Sequence, residues 1–315
     1  MNTRSDLPAT PSKPQSKEVT KPATLSLLGS ALFLASLLAG TLPASADTDV
    51  LLPELAVPDA MTPPPMAVLL PVPDERIMAA VSTLDNLGQD VLMRTSIPGL
   101  AIAIVHDGRT VYARGFGKRA VDHPESIDAD TVFLLASLSK PVGATVVATQ
   151  VDAGQVSWDS PVREFLPSFD LGDLWISDHV TIGDLYAHRS GLPDHAGDDL
   201  EDIGFDRSTV LERLALLPKG TFRVDYAYTN FGITAAAEAV ATAAGKDWAN
   251  LSETALYAPL GMTSTSSKHA DYMARDNRAT SHVAAEDGYA AADLRQPDAQ
   301  SPAGGVSSSA RDMAR

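Results

Sequence analysis

Residues 25–42, LSLLGSALFLASLLAGTL, form an apolar run without a single charge. Residues 47–75, with TPPPM at 62–66, then carry proline after proline and show neither a helical nor a strand period. Past Asp74 a helical spacing takes over. Ile77, Val81, Leu84, Leu87 and Val91 share one face of ERIMAAVSTLDNLGQDVLMR, and IPG at 97–99 stops it. Two strand-like runs follow in LAIAIVHDGRTVYARGFGKR (100–119), on either side of Asp107-Gly108, which predicts a hairpin. The first run is apolar on both faces, which predicts a covered strand. Residues 132–147, VFLLASLSKPVGATVV, are oily again, yet hold a lysine three residues after a serine. Proline is tolerated in a helix only near its first turn, so Pro141 predicts a helix start near Ser137 or Leu138. Beyond it ATVVATQVDAG, LERLALLPKG, GITAAAEAVATAAG and ANLSETALYAPLG read as helices closing on glycine. The order of helix, hairpin and long helical region predicts an α+β fold, with helices packed on an antiparallel sheet.

Composition narrows the partners. With a formal charge of −16, the surface repels nucleic acid and anionic lipid. The chain has no cysteine, which excludes disulfides, thiol catalysis and cysteine-ligated zinc. Lys17 and Lys21 precede the apolar run, and Ala44-Ser45-Ala46 follows it with small residues where a signal peptidase requires them. Residues 1–46 are therefore expected to be a signal peptide cleaved after Ala46. The alternative is an uncleaved anchor, since 18 apolar residues nearly span a bilayer. The glycines and serines within the run favour cleavage. The mature protein is then periplasmic or secreted, without stable membrane association, with a linker at 47–75 and one domain at 76–315.

Two short motifs carry candidate chemistry. Ser137 and Lys140 stand at i and i+3, on one helix face and within hydrogen-bond reach of each other. At a helix N-terminus the serine also meets free N–H groups that favour developing negative charge. A desolvated lysine there can help deprotonate it. The ordinary explanation is a helix cap beside a solvated lysine, and Ser-x-x-Lys arises by chance roughly once in a chain of this length. The second motif is Tyr228-Thr229-Asn230, on a loop before an alanine-rich helix. Such a tyrosine can act as a general base near a lysine, and such an asparagine can hold a carbonyl. Its ordinary explanation is a polar turn with a capping asparagine.

In this order, Ser137-Leu138-Ser139-Lys140 and Tyr228-Thr229-Asn230 resemble the first two signatures of the serine β-lactamase and penicillin-binding-protein fold. The branch resembled is that of class C β-lactamases, D-alanyl-D-alanine carboxypeptidases and esterases. PGLAIAIVHDGRTVYARGFGKR (98–119), GQVSWDSPVREFLP (154–167), VTIGDLYAHRSGLPDH (180–195) and PAGGVSSSARDMAR (302–315) are similar to that branch's segments, in its order. The resemblance implies Ser137 as acyl-accepting nucleophile, Lys140 as proton shuttle, Tyr228 as the base that activates water, and Asn230 as a contact to the substrate carbonyl. It implies that the Ser137 N–H supplies half of an oxyanion hole, and it needs no cofactor. Ser139 is one residue from Lys140 and points to another face. There are two departures. His188-Arg189-Ser190-Gly191 stands where many relatives have His-Thr-Ser-Gly, and His188 is expected to bond loop backbone. The third signature, Lys or His then any residue then Gly, does not follow Asn230. With one hairpin visible and ARDMAR entering a fresh helix after Ser307–Ser309, the chain is expected to be the front part of a longer frame, lacking C-terminal strands.

Other features are less specific. DHAGDDLED (194–202) has no compact metal-ligand spacing and reads as solvated acidic loop, so no metal is expected. GGVSSS (304–309) is not followed by Gly-Lys-Ser/Thr, and Gly-x-Ser-x-Gly is absent. The expected protein is an exported serine hydrolase acting through an acyl-serine on a small-molecule or peptide substrate: a D-alanyl peptide, a β-lactam or a short ester. The alternatives are a true class C-like β-lactamase and a sensor that is acylated without turnover. The sequence leaves the oligomeric state open.

Overall fold

The computed structural model describes residues 72–286, 288–292 and 295–315. The expected signal peptide and the linker as far as residue 71 lie outside the described residues. The helical period after Asp74 is present but broken. Helix α1 (Asp74–Val81) stops and α2 (Leu84–Thr95) restarts. Between them Ser82 Oγ donates to Ala79 O and Thr83 Oγ1 to Ala80 O, each at 2.7 Å. Hydroxyls that bond the preceding turn's carbonyls compete with the helix ladder, which is the physical reason for the break. The single apolar face also fails at Leu87, which is 48% exposed. The ring of Phe116 lies on Gly88 instead, so closely that a Cβ there would sit 2.7 Å from it.

The predicted hairpin is β1 (Gly99–His106) and β2 (Arg109–Gly117), antiparallel, with Gly99 opposite Gly117. Asp107 and Gly108 both have positive φ, as a tight turn matched to strand twist requires. The expectation of a covered first strand is corrected. β1 is half-buried along most of its length and Val105 is 50% exposed, beside a register irregularity between Ile104 and Val105. The sheet is more divided than the pattern suggested. β3 (Val132–Leu134) pairs antiparallel with a strand far along the chain, β6 (Ser307–Ser309). A second hairpin joins β4 (His282–Ala285) and β5 (Gly288–Ala291). The described residues thus hold three two-stranded antiparallel pairs, where sequence reading found one hairpin.

The helical region is built around α6 (Asn230–Ala243); α3 (Ser139–Asp152), α4 (Ile182–Tyr186), α5 (Asp198–Asp202), α7 (Trp248–Ser252), α8 (Ser301–Gly304) and α9 (Ala310–Met313) complete the set that bears on the site. Ala235, Ala236, Ala237 and Ala239 of α6 are fully buried, and such small side chains let α3, α4 and α8 approach its backbone. Val146, Val147, Leu185, Phe231 and Trp248 fill the same core. The fold is α+β, with small antiparallel sheets beside a helical region, as the order of elements predicted. Among the described residues no helix is long and apolar enough to cross a membrane.

Candidate active site

The nucleophile candidate sits where α3 begins. Ala136–Leu138 form a 3-10 turn leading directly into α3, as Pro141 predicted. Ala136 has φ 46°, a left-handed conformation that costs energy in a non-glycine residue and here turns the chain just before Ser137. Two bonds pin this corner to the segment before β6: Leu135 N donates to Val306 O, and Val306 N donates to Ser139 Oγ, both at 2.9 Å. Ser139 is fully buried, so its hydroxyl is structural while that of Ser137 is exposed.

The structure brings the four sequence-predicted residues together. Ser137 Oγ lies 2.6 Å from Tyr228 Oη and 3.2 Å from Lys140 Nζ. Lys140 Nζ also donates to Asn230 Oδ1 at 2.6 Å and to Ala303 O at 3.0 Å. Three acceptors match the three hydrogens of an ammonium, which is how the fold accommodates a lysine in an oily stretch. The same nitrogen stands 4.5 Å from the Tyr228 ring centroid.

The loop before α6 holds Tyr228 from both sides. Its backbone N–H donates to Asp194 Oδ1 at 2.8 Å, and its carbonyl accepts the His195 N–H at 2.7 Å. Thr229 N donates to Nδ1 of His188 at 3.1 Å, and the His188 ring lies 4.7 Å from that of Tyr228. To accept there, His188 must lack a proton on Nδ1. Burial, reinforced by the Lys140 charge and opposed by Asp194, pushes its pKa below the ordinary 6.5.

The arginine in His188-Arg189-Ser190-Gly191 has a defined role. Asp184, fully buried, receives Arg189 Nε at 2.8 Å and Arg223 Nη2 at 2.8 Å while closing a capping box with Thr181. Burial pushes this carboxyl up, but the Arg223 and Thr181 hydrogen bonds outweigh it and hold the pKa below the usual carboxylate range. Arg223 N in turn bonds Arg189 O at 2.8 Å, so two partly exposed arginines converging on one buried carboxylate fix the loop carrying His188.

Sequence reading missed the acidic run, treating it as solvated. Asp194 anchors Tyr228, and Asp198 Oδ2 accepts Asn230 Nδ2 at 2.9 Å and meets His195 Nδ1 at 2.8 Å. Glu201 is buried and pairs with Arg295 at 2.5 Å. Composition could not separate anchors from surface here. The usable signal was the i, i+4 spacing of Asp194 and Asp198 just after the His188 segment. A cleft of about 1080 Å³ lies behind α5, lined by Phe169, Glu201, Phe205, Arg207, Glu238 and Arg295 among others. None of the four catalytic candidates lines it, so the site is placed by the contacts of Ser137 and not by cavity size.

A serine at a helix start, bonded to a lysine one turn on and to a tyrosine from the loop before α6, has the geometry that an acyl-accepting nucleophile needs. The sequence profile of the family described as Beta-lactamase matches residues 77–315, more than half of the chain, and the chain belongs to that family. Among curated relatives, penicillin-binding protein 4 of Amycolatopsis lactamdurans is 30% identical over 179 residues, covering 53% of this chain and 44% of that protein. The unguisins hydrolase ungD' of Aspergillus campestris (strain IBT 28561) is 29% identical over 197 residues, covering 58% of this chain and 36% of its own length. The chain thus spans less than half the length of these relatives. A class C β-lactamase from Rhodobacter sphaeroides superposes with a TM-score of 0.60 at 27% identity, over 75% of this chain and 62% of that one.

Proposed function

We propose that this chain is the nucleophile-bearing part of an exported serine hydrolase that cleaves an amide or ester through an acyl-serine. One observation carries the reading: the Ser137 hydroxyl is within hydrogen-bond reach of both Lys140 Nζ and Tyr228 Oη. Ser137 Oγ attacks the substrate carbonyl carbon; the Lys140–Tyr228 pair takes its proton when the pair is one proton short of ammonium plus phenol, and hands it to the leaving nitrogen or oxygen as the C–N or C–O bond breaks. The Ser137 backbone N–H at the start of α3 donates to the oxyanion. Asn230 spends Oδ1 on Lys140 and one amino hydrogen on Asp198, leaving the second for the substrate's carbonyl. In the second half, Tyr228 takes a proton from the attacking water, the ester C–O bond breaks, and Ser137 regains its proton.

The candidate substrates are a D-alanyl peptide, a β-lactam or a short ester, all presenting a carbonyl to the same serine; membership of the Beta-lactamase family supports this range. A panel of one substrate from each class, run on the full-length protein, tests the reading. Steady turnover of at least one supports it. Turnover of the lactam above the other two marks a β-lactamase. A stoichiometric burst with no steady state identifies a sensor and refutes the hydrolase. Export belongs to the same proposal. Cleavage after Ala46 leaves a periplasmic or secreted protein with the linker at 47–75 ahead of the domain at 76–315.

A further inference from the structure

Of the five carboxylates in residues 194–202, Asp198 has a distinct setting. It is the first residue of α5, with a side chain 14% exposed. Its Oδ2 accepts from Asn230 Nδ2 at 2.9 Å and is braced by His195 Nδ1 at 2.8 Å, while Oδ1 is buried without a partner among the described residues. His195 comes from the loop that bonds the Tyr228 carbonyl, so the carboxylate is fixed from the catalytic side.

An asparagine amide has two unlike ends of nearly the same shape, an accepting oxygen and a donating amino group. Lys140 Nζ faces the oxygen of Asn230 at 2.6 Å. Were the amide turned over, its amino group would meet the Lys140 donors and its oxygen would meet a carboxylate. Both contacts would become repulsive at once. Lys140 alone also disfavours the turned amide, but Lys140 must move protons during the reaction, whereas Asp198 acts throughout.

We infer that Asp198 is a positioning residue: it locks the Asn230 amide with its oxygen on Lys140 and one N–H directed to the substrate. This rests on the acyl-transfer reading of Ser137, Lys140, Tyr228 and Asn230. Lys140 of the nucleophile helix constrains the oxygen end of the amide, and Asp198, from an acidic stretch of chain, constrains the amino end.

The test compares acylation of the full-length protein by a fluorescent penicillin in Asp198→Ala, Asn230→Asp and the exchanged pair Asp198→Asn with Asn230→Asp. The exchanged pair keeps one donor, one acceptor and one negative charge, with the carboxylate now on Lys140. Asp198→Ala is expected to slow acylation about tenfold, and the exchanged pair to acylate about tenfold faster than Asn230→Asp alone, the size of coupling expected between contacting residues. A merely structural Asp198 would give no such rescue. The Asn230 side-chain amide, followed by nitrogen-15 NMR in the unacylated protein, provides a readout that does not depend on activity. Its two hydrogens should be inequivalent and slow to exchange, and should lose that protection in Asp198→Ala. Amide signals that do not move, or an exchanged pair no faster than Asn230→Asp, would overturn the inference. A wild-type protein that is never acylated refutes the proposed function instead, and the amide signals still decide the role of Asp198. Should Asp198→Ala not fold, Asp198→Asn, which keeps the side-chain shape, is read in its place.

Discussion

At the scale of single residues, the site separates groups that react from groups that hold. Tyr228 Oη bonds only Ser137 among the described side chains, so Tyr228→Phe removes the proposed proton carrier and leaves the ring packing against His188 and Lys140. Turnover should fall by about two to four orders of magnitude, as for loss of a general base, with the melting temperature within a degree or two. Near-normal turnover would take Tyr228 out of the mechanism. The two histidines of the loop make a second prediction because their surroundings pull in opposite directions. His188 titrates below 6.5 for the reasons given above. His195 titrates above it, chiefly through its hydrogen bond to Asp198, helped by the Asp194 and Asp198 charges and opposed by desolvation and Lys140. A depressed histidine contributes stability above its unfolded value of 6.5, lost as pH falls through the lowered folded value. A raised one contributes stability below 6.5, lost as pH rises through the raised folded value. Carbon-bound proton shifts should therefore show two titrations bracketing 6.5, with His188 the lower; the reverse order would contradict the hydrogen-bond assignment. Ser137, Lys140, Tyr228 and Asn230 were legible because short spacings and a family resemblance mark them. Asp194 and Asp198 were not, because their partners are backbone and amide groups more than 30 residues away.

Among the elements, α6 is the one on which the geometry depends. Its first residue is Asn230, and Thr229 immediately before it packs over Gly232. A Cβ at Gly232 would come within 2.3 Å of Thr229 Oγ1, and Leu185 closes the other side at 3.6 Å. Gly232→Ala should therefore push the Tyr228-Thr229-Asn230 segment off Ser137 and slow acylation, while a helix-interior alanine otherwise stabilises by roughly 1 kcal/mol. Loss of acylation in a folded variant is the expected result; an unaltered rate would show that the segment yields without consequence. The hairpin at 100–119 was legible from a turn dipeptide between two strand-like runs, the first of them apolar. The β4–β5 hairpin carries the same dipeptide at 287–288, but its alanine-rich flanks lack the alternation that marks a strand. β3 and β6, three residues each, become strands only through each other, and no local pattern reveals a partner so distant. Ser309 caps α9, with Oγ accepting Asp312 N at 3.2 Å, yet Ser307–Ser309 is also β6.

At the scale of the whole molecule, the fold joins two chain segments separated by a long helical region. The nucleophile corner comes from residues 135–140, and its tyrosine and asparagine come from 228–230. Buried contacts to Val306 and Ala303 hold that corner from the far end of the chain. The net charge of −16 disfavours polyanionic partners. For the proposed export, mass spectrometry of the secreted or periplasmic protein should find an N-terminus at Asp47; recovery of an intact terminus within residues 1–24 would refute cleavage. The central claim is that Ser137 is the residue acylated. It is tested most directly by labelling the full-length protein with a fluorescent penicillin or a fluorophosphonate and comparing wild type, Ser137→Ala and Ser139→Ala. The account predicts that Ser137→Ala abolishes the covalent label. Ser139→Ala, which alters only a buried bond to Val306, should retain it at a somewhat lower melting temperature. Label that persists in Ser137→Ala would contradict the account.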